Sequence, residues 1–276
     1  MAEFTGTHGK VHYRHWEPEQ PRAVVVFFHG LGEHIGSYEE FAETLRAGGF
    51  SVWAADHAGH GHSDGERVRI DRVDDLLDDA ATLTGLARTA HPELPLVLVG
   101  HSLGSTVAVL LAGERLRPAG RGPVALVLAG SSLVAVPGRE NGLAALLATG
   151  IDPLELRKDP GELNRDETVA ARIRADPLTW QGGIRRETIA ALGDAADRIE
   201  RLLAARTLTV PVLLVHGEAD DLAPAEGAGL AAGRLPDAET AVFPDDRHNV
   251  LNELDRHAVW RVLIDFLDRP SVSPPR

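Results

Sequence analysis

The pattern Gly-x-Ser-x-Gly occurs twice in this chain, as Gly61-His62-Ser63-Asp64-Gly65 and as Gly100-His101-Ser102-Leu103-Gly104. Physically it describes a tight turn from a strand into a helix. Glycines two residues on either side let the backbone pass while the serine is held in a strained conformation with its hydroxyl presented outward. The stretch from Leu94 to Val99 reads as a strand ending at Gly100, and Leu103 to Leu111 continues as an apolar helix. Ser102 therefore has the context of a nucleophile. Ser63 lies seven residues past Asp56 in a Gly- and His-rich stretch and is followed by Glu-Arg-Val-Arg, so it reads as loop geometry.

A serine hydroxyl is a weak nucleophile at neutral pH. It needs a neutral imidazole to take its proton and a carboxylate to orient that imidazole. In a doubly wound sheet such groups gather at the carboxyl ends of the strands, so the acid and base should follow later strands. Asp220 comes just after the strand candidate Val210–His216, with Asp221 as the alternative and a capping or turn role for whichever carboxylate is unused. His248 falls in the loop Asp245-Asp246-Arg247-His248-Asn249, which completes the order Ser, Asp, His. A tetrahedral intermediate also needs donors aimed at its oxyanion, worth about 2.7–4 kcal/mol each. The Leu103 N–H at the helix start is one. The second is expected from His29-Gly30-Leu31-Gly32-Glu33-His34, where two glycines let the backbone approach and Leu31 N–H is the better placed donor. The plainer reading of that loop is a tight strand-to-helix turn.

These residues need a frame. Ala23–His29, Phe50–Ala55, Leu94–Gly100, Pro123–Ala129 and Val210–His216 are continuous apolar runs, as expected of parallel strands covered on both faces. Thr240–Phe243 reads as a last short strand, and Glu3–Thr7 with Val11–Trp16 as an antiparallel hairpin around His8-Gly9. Helical patterns occupy Tyr38–Ala47, Val73–Thr89, Leu103–Leu116, Ala225–Leu235 and Glu253–Leu267. The alternation predicts an α/β class with a doubly wound, mostly parallel sheet. Between about Val134 and Leu208 no strand run occurs, so residues 134–208 read as an inserted helical lid on a core formed by 1–133 and 209–276. Its apolar residues Leu143, Leu146, Leu147, Ile151, Leu154, Leu156, Trp180 and Ile184 can line an acyl pocket or form the lid's own small core. Pro270–Arg276 reads as a loose tail.

At 276 residues the chain can bury a large core without disulfides or structural metals. It has no cysteine, which excludes a thiol nucleophile and a Cys-ligated zinc. A net charge of −13 argues against a nucleic-acid partner. No segment approaches the ~18 continuous apolar residues of a membrane span, and the opening carries no signal-like pattern; the expected location is cytoplasmic.

Together, His29-Gly30-Leu31-Gly32-Glu33-His34, Asp56-His57-Ala58-Gly59-His60-Gly61-His62-Ser63, the Ser102 elbow, His216-Gly217-Glu218-Ala219-Asp220 and the His248 loop resemble the monoacylglycerol lipase and lysophospholipase-like, serine aminopeptidase-type branch of the α/β-hydrolases. The lid segment Asp176-Pro177-Leu178-Thr179-Trp180-Gln181-Gly182-Gly183 is similar to that branch too. The likeness spans nearly the whole chain. By it, Ser102 matches the nucleophile, Asp220 the acid, His248 the base, and Leu31 and Leu103 the oxyanion donors. It further implies a single-chain lipid ester as substrate, such as a monoglyceride or lysophospholipid, no cofactor, and a lid able to touch membrane surfaces.

Rival readings differ in chemistry. The segment His57-x-x-His60-x-His62-x-Asp64 imitates half of a zinc-hydrolase signature, but the following position is Gly65 where such a site wants another ligand. An inert binding module on the same scaffold would not need all three triad groups. A thioesterase or aminopeptidase would use the same triad, and an aminopeptidase lid should offer an acidic anchor for the substrate amine. Glu140, Asp152, Glu155 and Asp159 are too many candidates to be diagnostic.

Overall fold

The computed structural model describes residues 2–138, 150 and 152–272. In chain order its strands are β1 (Ala2–Gly6), β2 (Gly9–Trp16), β3 (Ala23–Phe28), β4 (Phe50–Ala55), β5 (Leu96–His101), β6 (Ala125–Ala129), β7 (Val212–Gly217) and β8 (Ala238–Phe243). They form one sheet in the order β1-β2-β4-β3-β5-β6-β7-β8. The hairpin β1–β2 is antiparallel and joins β4 antiparallel; from β4 to β8 every pairing is parallel. The direction of winding reverses at β3, which has β4 on one side and β5 on the other, so the crevice beyond its carboxyl end is the natural site.

The helices are α1 (Glu39–Ala47), α2 (Val73–Ala90), α3 (Leu103–Leu110), α4 (Pro160–Leu163), α5 (Glu167–Ala175), α6 (Arg186–Ala204), α7 (Ala225–Ala232) and α8 (Arg256–Leu267). Central strands are buried along their whole length because helices cover both faces. Alternate residues serve opposite layers. Val24, Val26 and Phe28 pack with α2, α3, α6 and α7, whereas Val25 and Phe27 pack with α1 and α8. The helix expected over Leu103–Leu116 is α-helical to Leu110 and π-helical over Leu111–Leu116.

Two expectations need correction. The final helix begins at Arg256, not Glu253, because the fully buried Glu253 carboxylate turns inward to accept the N–H groups of Arg247 and Leu254. The tail is not loose throughout, since Val272 is buried against the α1–α8 layer; residues 273–276 lie outside the described part.

Of the stretch 134–208, the described residues hold a turn at Pro153–Glu155, α4, α5 and α6. Helix α6 carries Ala191, Ala195, Ile199 and Leu203 into the main core. Its Arg198 also pairs with Asp74 of α2 at 3.2 Å and with Glu114 beyond α3. Leu143, Leu146, Leu147, Ile151 and Glu140 lie outside the described residues. Leu154 is half exposed, while Leu156, Trp180 and Ile184 are partly buried. Among the described residues no helix is long and apolar enough to cross a membrane.

The second serine motif is a structural loop. Ser63 is buried, donates its hydroxyl to Asp56 O at 2.7 Å and accepts the His12 N–H at 2.8 Å, which ties the loop after β4 to β2. The neighbouring histidines are likewise spent on backbone: His57 Nε2 lies 3.1 Å from His29 O and His60 Nδ1 3.0 Å from Ala58 O. Asp64 Oδ2 instead accepts Lys10 N–H at 2.9 Å. Ser63→Ala should leave catalytic turnover intact but lower stability by about 1–3 kcal/mol, since the His12 donor is then buried without a partner. Thermal denaturation alongside an ester assay checks both halves.

Candidate active site

Four strand ends bring the site together. The register pairs Phe28 with Gly100, His101 with Ala129, Ala129 with Val215, and Gly217 with Phe243, so the loops leaving β3, β5, β7 and β8 emerge on one edge. Ser102 sits between β5 and α3 at φ 50° and ψ −116°, a left-handed conformation costly for a residue with a side chain. The turn closes because Gly104 passes against β3: a Cβ there would lie 1.9 Å from Phe28 O. A Cβ on Gly100 would in turn lie 2.3 Å from Gly104. Ser102 N–H donates to Ala129 O at 2.9 Å, and Ser105 Oγ to Gly100 O at 2.9 Å, which holds the bend to β5 and β6.

The three residues picked from the sequence for nucleophile, base and acid converge. Ser102 Oγ lies 2.9 Å from His248 Nε2, and His248 Nδ1 lies 2.8 Å from Asp220 Oδ2. Asp220 Oδ1 accepts the N–H groups of Leu222 and Ala223, each at 2.9 Å, so the acid-loop backbone aims the carboxylate. The same Oδ2 lies 3.1 Å from His216 Nε2. Burial by itself would raise the Asp220 pKa, but the hydrogen bonds from His216 and His248 and the backbone donor outweigh it and hold the carboxyl well below its ordinary range. Asp220 thus stays ionised and fixes a proton on His248 Nδ1, which leaves Nε2 as an acceptor for the serine hydroxyl. Asp221, the alternative acid, is exposed and pairs with Lys158 at 2.5 Å.

Of the two oxyanion candidates, Leu103 N–H heads α3, where first-turn donors have no acceptor within the helix. Leu31 lies in the loop beyond β3, partly buried and packed on the core. That loop is held by Glu33, Tyr38 and His101, to which the motifs by themselves assign no role. Glu33 Oε2 accepts Gly30 N–H at 2.7 Å and Tyr38 OH at 2.6 Å, and lies 3.1 Å from His101 Nδ1. His101 Nε2 faces His248 O at 3.1 Å. One imidazole therefore spans the loop after β3, the turn at Ser102 and the loop that carries His248. The signal was present in the sequence, a carboxylate three residues after Gly30 and a histidine beside the nucleophile. Its meaning depended on a separation of 68 residues closing in space.

Both ring nitrogens of His101 face acceptors, which suits the imidazolium. Burial would lower its pKa, yet Glu33 and His248 O raise it overall, while Glu33, which burial would raise, is brought down to about 2 by His101 and Tyr38. From the stretch between α5 and α6, Trp180 N–H donates to Gly32 O at 2.8 Å, and Asp176 Oδ2 lies 2.8 Å from His34 Nε2. The segment around Trp180 is therefore fastened to the loop after β3.

The Glu33–His101 pair has a predictable pH signature. His101 is raised above its ordinary 6.5, so its share of stability is complete below that pH and is lost as pH rises through the folded value. Glu33 is depressed below its ordinary 4.5, so its share is complete above that pH and is lost as pH falls toward about 2. Glu33→Gln should cost about 3 kcal/mol, as for a buried pair that loses one partner. Denaturation curves should show the largest gap from wild type between pH 4.5 and 6.5.

The comparisons agree with this architecture. A family model described as serine aminopeptidase, S33, matches residues 19–255. Monoacylglycerol lipase from Mycolicibacterium smegmatis is 36% identical over 266 residues, covering 93% of this chain and 92% of that protein. Monoglyceride lipase from Homo sapiens is 34% identical over 224 residues, covering 79% and 72%. The crystal structure of monoacylglycerol lipase from Paleococcus ferrophilus superposes with a TM-score of 0.77 at 26% identity, covering 93% of this chain and 98% of that one. The nucleophile-type elbow on a doubly wound sheet, and a family match that runs from the loop before β3 to the foot of the last helix, place this chain in the serine aminopeptidase S33 family of α/β-hydrolases.

Proposed function

We propose that the protein hydrolyses carboxylic esters of single-chain lipids, monoacylglycerol foremost, through an acyl-enzyme on Ser102. The observation that carries this reading is the continuous chain from Ser102 Oγ to His248 at 2.9 Å and on to Asp220 at 2.8 Å. Ser102 donates its proton to His248 Nε2 as Oγ attacks the ester carbonyl. The oxyanion that develops is met by the N–H groups of Leu31 and Leu103, and the imidazolium by ionised Asp220. Collapse expels the alcohol with the proton from His248. Water then repeats the attack on the acyl-enzyme, with His248 again taking the proton, and releases the fatty acid and free Ser102.

The choice of substrate rests on relatives named as monoacylglycerol and monoglyceride lipases across most of their length. An aminopeptidase reading, which the family description keeps open, would need a free carboxylate in the cap. Asp152 is instead spent capping the turn at Leu154 N–H at 3.1 Å, and Asp159 pairs with Arg174. Glu155 is exposed and Glu140 lies outside the described residues, so the choice of ester rests on the relatives and not on these carboxylates.

Ser102→Ala should lower kcat about a millionfold in a folded protein, and Asp220→Asn about ten-thousandfold, because the imidazole then loses its tautomer and orientation. A panel of short acyl esters, monoacylglycerols, lysophospholipids and aminoacyl amides, run beside a fluorophosphonate label, tests the reading. Labelling that survives Ser102→Ala, or faster cleavage of amides than of monoacylglycerols, would overturn it.

A further inference from the structure

We infer that Arg165, in the cap segment between α4 and α5, is a positioning residue that sets where His248 stands. The inference rests on the proposed role of His248 as base. Arg165 reaches across to the histidine loop and meets three carboxylates there. Its Nε lies 3.2 Å from Glu253 Oε2, and its Nη2 contacts Asp246 and lies 3.1 Å from Asp255 Oδ1. Asp246 and Glu253, with fully buried side chains, bracket His248 in sequence.

The backbone repeats the connection. Asn249 N–H donates to Leu163 O at 2.9 Å, Arg165 N–H to Glu253 Oε1 at 3.0 Å, and the buried Asn164 amide to Asn252 O at 2.9 Å. Arg247 Nη1 bonds Gly161 O. Residues 161–165 of the cap thus grip the loop on both sides of His248.

The electrostatics of the cluster adds to this geometry. Two buried carboxylates with a third beside them repel one another, and in a poorly polarisable interior that repulsion is relieved only by a counter-cation, by protonation or by movement. Burial first, then Asp255 and Glu253, push Asp246 up to about 8, with Arg165 pulling it the other way. Asp246 Oδ2 is buried without a hydrogen-bond partner, so this cluster is already short of donors. Asp246 also passes its carbonyl to Ala219 N–H at 2.9 Å, one residue before Asp220. Loss of Arg165 would be felt by both the base and the acid.

The test separates this role from shaping of the acyl site. Arg165→Met is compared with wild type on a short acetate ester and on a long-chain monoacylglycerol, and the low-field proton resonance of His248 Nδ1–H is recorded by NMR. The expected result is a kcat lowered about thirtyfold or more on both esters, with KM nearly unchanged and the resonance shifted, since small misplacements of a catalytic group carry penalties of that size. An unchanged kcat on the acetate ester, with KM raised only for the long chain, overturns the inference. Should Arg165→Met fail to fold, Arg165→Lys serves in its place. It keeps the charge but cannot span Asp246 and Glu253 together, and a several-fold loss of kcat with a shifted resonance is expected. Wild-type kcat and resonance in that variant overturn the inference. A wild type that neither takes a fluorophosphonate label nor cleaves either ester removes the proposed function first, and this inference with it.

Discussion

The backbone at Ser102 is the constraint on which the rest of the site depends. A serine at φ 50° stores about 1–3 kcal/mol of strain and persists only where its surroundings leave no alternative. Those surroundings are specific. α3 lies so close to β3 that no side chain fits at Gly104, and both β5 and β6 bond the bend directly. Because the turn is closed so tightly, the hydroxyl projects past the strand ends and the first N–H groups of α3 face the same space. The proposed nucleophile and one proposed oxyanion donor thus share a single turn.

Around that bend the site is arranged by buried charge. Asp220 holds the His248 ring, and the Glu33–His101 pair holds the His248 carbonyl and the oxyanion loop. Neither carboxylate is isolated: each collects several donors, which offsets the cost of taking an ion out of water. The consequence is rigidity where the mechanism needs it. His248 is fixed through its side chain by one loop and through its backbone by another, as the proposed proton transfer requires.

The segment 152–208 joins this scaffold. Helix α6 shares the main core, Trp180 and Asp176 bind the loop after β3, and residues 161–165 bind the loop that carries His248. Such ties couple this segment to both loops beside Ser102, so under the proposed mechanism it contributes to their alignment.

The sequence by itself determined the layer architecture, the elbow and the order of the three catalytic candidates, because each is written in local terms. Apolar runs bounded by helical periodicity specify covered parallel strands, and a strand ending at Gly-x-Ser-x-Gly before an apolar helix separates Ser102 from Ser63 without reference to distant residues. Only the tertiary structure decided what Glu33, His101, Arg165, Asp246 and Glu253 do. Glu253 reads as the start of a helix and Arg165 belongs to no motif, yet they meet across 88 residues of chain with Glu253 fully buried. Charge pairing at such separation leaves no periodicity and no motif. It follows from which strand ends lie side by side, and that is set by the packing of the whole sheet.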